Sequence, residues 1–232
     1  MGAPASMPPF VVFGPAHLTV LALTVLIIWG LVYHARSGPG RTRIQDRSLA
    51  LFLLLVYPAS LLVGWKLGML NRDNILPLHL CDVAAICGAG ALWFRHQRLT
   101  ELVRFWGLAG TMNGLITPAL SESFPSPRFL SFFALHSGVV IAAVYLVAGL
   151  GLRPQRGAVW RAFGWGQVYF GVAAITNYTI GSNYGFLHSK PEQASLLDFM
   201  GPWPWYILGL EALGLLLFGV LYLPFRRQGS AG

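Results

Sequence analysis

The sequence predicts an all-α membrane protein of seven transmembrane helices, N-terminus outside and C-terminus cytoplasmic, and three observations carry that reading. Hydrophobic side chains make up 55% of the 232 residues and charged ones 10%, with a mean hydropathy of +0.60. Apolar runs recur about every 25 to 30 residues, each long enough for a hydrocarbon core of about 30 Å at about 1.5 Å per residue. Basic residues fall in alternate gaps between those runs, the pattern that orients a multi-pass chain.

The first fifteen residues, MGAPASMPPFVVFGP, lack the basic n-region of a secretory signal peptide, so the first span, about 16–35, is expected to be retained. MGAPAS fits a myristoylation pattern only weakly. His17, near the start of that span, reads as an interfacial residue. The second span covers about 48–70, where Pro58, Gly64 and Gly68 allow a kink and close helix approach. The third, about 76–94, opens on ILPLHLCD. The fourth, about 100–120, is broken towards its end by Asn113, Gly114 and Pro118. The fifth, sixth and seventh cover about 128–150, 159–180 and 204–223, and an outer loop fills 181–203. The chain thus reads as one polytopic domain of a cytoplasmic (inner) membrane protein.

Of the basic residues, Arg36, Arg41, Arg43, Arg47, Arg95, Arg98, Arg104, Arg153, Arg156, Arg161, Arg226 and Arg227 lie on one side, against Lys66, Arg72, Arg128 and Lys190 on the other. Asp46 and Glu101 are the only carboxylates on the basic side; Asp73, Asp82, Glu122, Glu192, Asp198 and Glu211 lie opposite. The positive-inside rule makes the basic side cytoplasmic. It also accounts for the net charge of +8 without nucleic acid as a partner. Cys81 and Cys87 form neither a CxxC motif nor a disulfide framework and are expected to be free thiols.

Within the spans, titratable and amide side chains gather near one depth. Cys81 and Asp82 lie about six residues in, roughly 9 Å from the outer end of their span. His136, Glu211, Asn113 and Lys66 fall at comparable depths, and Asn177 and Tyr178 close the sixth span. Ionisable residues are costly in hydrocarbon and normally face a cavity or partner, so this layer predicts a polar cavity open to the outside. Each member also has a plainer reading. Lys66 suits a snorkelling lysine, Asn113 an interhelical hydrogen bond, and Glu211 a pairing with Lys66 or His136. His79 and Asp82 share a helix face at i, i+3, whereas Cys81 lies about 200° round from His79.

The loop GSNYGFLHSKPEQASLLDFMGPW is longer than a tether needs, and its Asn183, Tyr184, His188 and Lys190 are candidates for substrate binding. His188 and Lys190 suit a phosphate or carboxylate, or a solvated pair. Trp203, Trp205 and Tyr206 suit an interfacial belt.

LPLHLCD at a helix start, a histidine within FALHSG, and NYGFLHSKPEQASLLDFMGPWPWY together resemble the YwaF-like bacterial integral membrane proteins, relatives of transmembrane protein 164. For the eukaryotic relatives the resemblance implies an acyltransferase that moves a fatty acyl chain between phospholipids, using a cysteine in a short motif beside a histidine. If that cysteine directly precedes its histidine, its place here is Leu78, His79 is the matching histidine, and Cys81 is only a neighbour.

The function expected is an outward-facing lipid transacylase or acyl hydrolase with membrane phospholipid as its partner and no cofactor; a homo-oligomer stays open. Cys81 would be the nucleophile and His79 or His136 the base, with Asp82 orienting the histidine and Asn113 or Asn177 donating to the oxyanion. Two other readings stand beside it. His79, Asp82, His136 and Glu211 have the donor types for zinc in a metal-dependent hydrolase, although no HExxH-type signature is present. A transporter or sensor with a small-solute or lipid cavity is the third, with Lys66, Asp82 and Glu211 as a proton relay.

Overall fold

Proline at the first helical position, where no backbone donor is needed, starts two of the longest helices: α1 (Pro15–Ser37) and α6 (Pro127–Ala148). A computed structural model describes residues 8–38, 42–191 and 196–229. Arg41 and Glu192 lie outside those residues, as do MGAPAS and the side chain of Arg227. Between and after these two helices run α2 (Arg43–Lys66), α3 (Leu80–Phe94), α4 (Gln97–Trp106), α5 (Met112–Ile116), α7 (Ala158–Ile180) and α8 (Trp205–Tyr222). A π-helical turn, Gly107–Thr111, joins α4 to α5 without a break. Among the described residues there is no strand, only an isolated bridge between Pro9 and Glu122.

By length and apolar composition, α1, α2, α6 and the stretch Trp205–Arg226 that contains α8 are each able to cross a membrane. The other three expected spans differ for physical reasons. At 15 residues α3 is about 22 Å long, short of a hydrocarbon core of about 30 Å. The α4–α5 rod opens on Gln97, Arg98 and Glu101, and α7 carries Arg161, Gln167, Thr176 and Asn177, which lower their apolar content.

The helix expected from residue 76 begins only at Leu80. Pro77 biases the residue before it towards extended backbone, and His79 follows as an extended N-cap at φ −73°, ψ 148°. Residues 67–79 therefore run as a non-helical linker between α2 and α3.

α6 lies at the centre, with 61% of its most apolar window buried against 11% for α1 and for α8. Small residues let its neighbours close on it. A Cβ at Gly138 would come within 2.8 Å of Phe52, and one at Gly107 within 3.1 Å of Val139.

The helices alternate in direction, and the two ends of the bundle are held differently. One end uses charge. Asp46 of α2 is fully buried and receives Arg95 at 2.6 Å, while the Tyr145 hydroxyl donates to its other oxygen at 2.7 Å. Arg95 also donates to Thr42. It takes the left-handed C-cap of α3 at φ 51°, a conformation that costs an L-residue about 1 kcal/mol and that suits glycine better. Glu101 of α4 receives Arg161 of α7 through two bonds, at 2.9 and 2.8 Å, with Arg98 3.5 Å away.

At the opposite end one buried histidine is held by neutral groups. His17, expected at an interface, is fully buried because both ring nitrogens are occupied: Nδ1 accepts from Phe13 N–H, and Nε2 donates to the Leu115 carbonyl.

Removing one partner of a buried ion pair strands the other. Asp46→Ala is expected to lower the unfolding free energy by about 3 kcal/mol in detergent denaturation, and Arg95→Gly in the same chain is expected to recover part of the loss.

Candidate functional site

The head of α3 is built from its own cap. The Asp82 carboxylate, at the third helical position, accepts the backbone N–H of His79 at 3.2 Å in a capping-box arrangement. The acid is thus bonded to the histidine's backbone, and the imidazole turns away towards the linker. Its Nε2 lies 2.9 Å from the Asp73 carbonyl. A carbonyl only accepts, so Nε2 carries a proton. The ring packs edge-on to Tyr184 at 5.2 Å and tilted against Phe186 at 5.8 Å.

The Tyr169 hydroxyl donates to the Leu78 carbonyl at 3.1 Å, and Tyr169 lies about 16 Å along α7 from Ile180 at about 1.5 Å per residue. The head of α3 is therefore bonded to the middle of α7.

The linker and the loop after α7 hold each other. Asp73 accepts the Asn183 N–H at 2.7 Å, Tyr184 accepts the Leu76 N–H at 2.9 Å, and Arg72 donates to the Gly181 carbonyl at 3.2 Å. Asn177 ties that loop back to α7: its amide donates to the Tyr184 carbonyl at 2.9 Å, and its oxygen accepts Tyr184 N–H at 2.7 Å and Ser182 Oγ at 2.9 Å. Tyr184 is fully buried. That burial pushes its phenol above the ordinary value, against the opposing effect of the Leu76 N–H. Asn183 turns the loop by accepting the His188 and Ser189 N–H groups.

A slot of about 280 Å³ opens beside this latch, between the α4–α5 rod, α7, α8 and the loop at Gly185 and Leu187. Leu80 of α3 forms part of its wall. Asn113, Gln167 and Glu211 are polar points in a lining of otherwise mostly apolar side chains. Glu211 accepts from Gln167 at 2.5 Å, and its partner is neither Lys66 nor His136.

The expected polar layer thus divides. His79, Asp82, Asn177, Asn183 and Tyr184 meet at the head of α3, and Asn113 and Glu211 at the slot. His136 lies in the seam of α5 and α6, where Nδ1 donates to Phe132 O at 2.8 Å and the ring fits only because residue 114 is glycine; a Cβ there would stand 2.7 Å from Nε2. Lys66, Tyr178 and His188 are exposed, Tyr178 at 92%. Lys190 lies 4.0 Å from Asp198 and over the Tyr206 ring. Cys81 and Cys87 are free thiols, and among the described residues no hydrogen bond joins Cys81 to either histidine. Nor do three or more His, Cys, Asp or Glu side chains gather closely enough there to hold a metal ion. Asp73, Tyr169 and Gln167 do much of the positioning and were not singled out from sequence. The only signal for the last two was their place in the middle of an apolar span.

Among the described residues, four apolar helices long enough to cross a membrane define a helical multi-pass membrane protein. The sequence profile of the TMEM164 family matches residues 12–222, and the chain belongs to that family. No curated protein and no solved structure matches it.

Asn177 makes three buried bonds, so Asn177→Ala leaves Tyr184 groups unpaired at a cost of about 2 kcal/mol. Faster amide exchange at Asn183 and Tyr184 is the expected reading, with the Asp46 end unchanged.

Proposed function

We propose that this chain is a YwaF-like bacterial member of its family that transfers or hydrolyses acyl groups of membrane phospholipid at the head of α3. The observation that supports the reading is that His79 and Cys81 flank Leu80 at the head of α3, and Leu80 forms part of the wall of a slot with room for one alkyl chain. In the proposed topology one domain crosses the cytoplasmic membrane seven times, N-terminus outside. The alternating helices and the gathering of arginines at one end support it.

In the first step Cys81 Sγ attacks the ester carbonyl of a phospholipid, and its proton passes to a histidine. His79, one residue from Leu80 at the head of α3, is the first candidate for that base, with His136 the second. The acyl C–O bond breaks, the departing lysolipid oxygen takes that proton, and the acyl group remains as a thioester. A second lipid hydroxyl, or water, then attacks the thioester and releases the thiol. Asp82 acts by fixing the N-cap backbone of His79. Asn177 has an amide proton committed to Tyr184, which leaves Asn113 as the better donor to the oxyanion.

The test is transfer of a labelled acyl chain between phospholipid and lysophospholipid in vesicles containing the purified protein. Cys81→Ala is expected to abolish transfer and His79→Ala to reduce it by about 10²-fold or more, while Tyr178→Ala leaves it intact. Full transfer by Cys81→Ala would rule out the thiol as nucleophile.

A further inference from the structure

Glu211 is not used by the acyl transfer proposed above. It lies six positions into α8, in the middle of an apolar helix, and faces the slot. Among the described residues no lysine, arginine or histidine forms an ion pair with it. Its bonded partner is the neutral Gln167 amide, which fills one of about four acceptor positions of a carboxylate and brings no positive charge. Glu211 is partly exposed where it borders the slot, and a carboxylate on an apolar helix without a countercharge normally faces the group it serves.

The slot's form narrows what that group is attached to. Its α8 wall runs from Ile207 to Phe218, about 16 Å at about 1.5 Å per residue. A volume of 280 Å³ spread over that length has room for one alkyl chain and little more. An alkyl chain moving from lipid into this lining exchanges one hydrocarbon for another and gains little selectivity. Choice among ligands therefore falls to the polar pair.

We propose that the slot binds a single-chain cationic amphiphile, with its ammonium group against the Glu211 carboxylate and its chain along Leu210, Leu213, Leu217 and Phe218. The Gln167 amide holds the carboxylate in place, and its own carbonyl is left to accept a second ammonium proton. This binding goes beyond acyl transfer and requires no turnover, so it is read without any activity assay.

The experiment uses the full chain in phosphatidylcholine vesicles and a photoreactive alkylamine with a diazirine in mid-chain. After irradiation, labelled residues are mapped. Labelling of the α7 and α8 walls of the slot is expected, competed by dodecylamine about tenfold more effectively than by dodecanol or dodecanoate. Glu211→Gln is expected to bring the three competitors within about twofold of one another, and Leu213→Trp, which narrows the slot, to remove the labelling. Equal competition by dodecanol in the unaltered chain would overturn the proposal, because Glu211 would then contribute nothing to the choice of ligand. Labelling confined to the exposed faces of α1 and α8 would also overturn it.

Discussion

Backbone without helix has to find hydrogen-bond partners of its own, and residues 67–79, exposed over most of their length and partly buried from Pro77 to His79, are such backbone at the end of a bundle of apolar helices. The arrangement at the head of α3 follows from that constraint. The N–H groups of Leu76 and His79 go to the Tyr184 hydroxyl and the Asp82 carboxylate, and the Leu78 and Asp73 carbonyls receive Tyr169 and His79. The loop after α7 is ordered for the same reason. It supplies partners to the linker, and Asn177 satisfies the loop in turn.

This has a chemical consequence. A histidine that meets a backbone carbonyl through one nitrogen has its ring orientation set and that nitrogen protonated. The bonds that hold the linker are thus the ones that orient His79. They also explain why α3 starts late: with Asp82 at its third position and Cys81 at its second, the first turn of the helix opens at the level of the slot. The opposite end of the bundle solves its problem with charge. Asp46 and Glu101 are each paired with arginine there.

Hydropathy made α1, α2, α6 and α8 legible, since each buries or exposes an apolar surface over its whole length. It also located the polar residues along their helices. It did not give rotation or long-range contact, and the misreadings are of that kind. Tyr178 follows Asn177 directly, yet it points outward while Asn177 is buried. Glu211 was matched with Lys66 or His136 by depth, but its neighbour is Gln167, 44 residues away in sequence. His17 was read as interfacial because its partner, the Leu115 carbonyl, lies 98 positions away. The late start of α3 had a local signal in Pro77. The bond between its head and α7 had none, because Tyr169 lies 91 positions from Leu78 in sequence. Asp46 and Glu101 were visible as two lone acids among arginines, and the structure gives the reason for that pattern.

The most direct measurement is intact-mass and peptide analysis of the purified chain after brief exposure to phospholipid bearing a labelled acyl group. The account predicts one acyl adduct per chain, on Cys81, released by neutral hydroxylamine as a thioester is, and absent in Cys81→Ser under that treatment. An adduct on another residue, or continued acyl transfer in a chain that never carries acyl on Cys81, would contradict it.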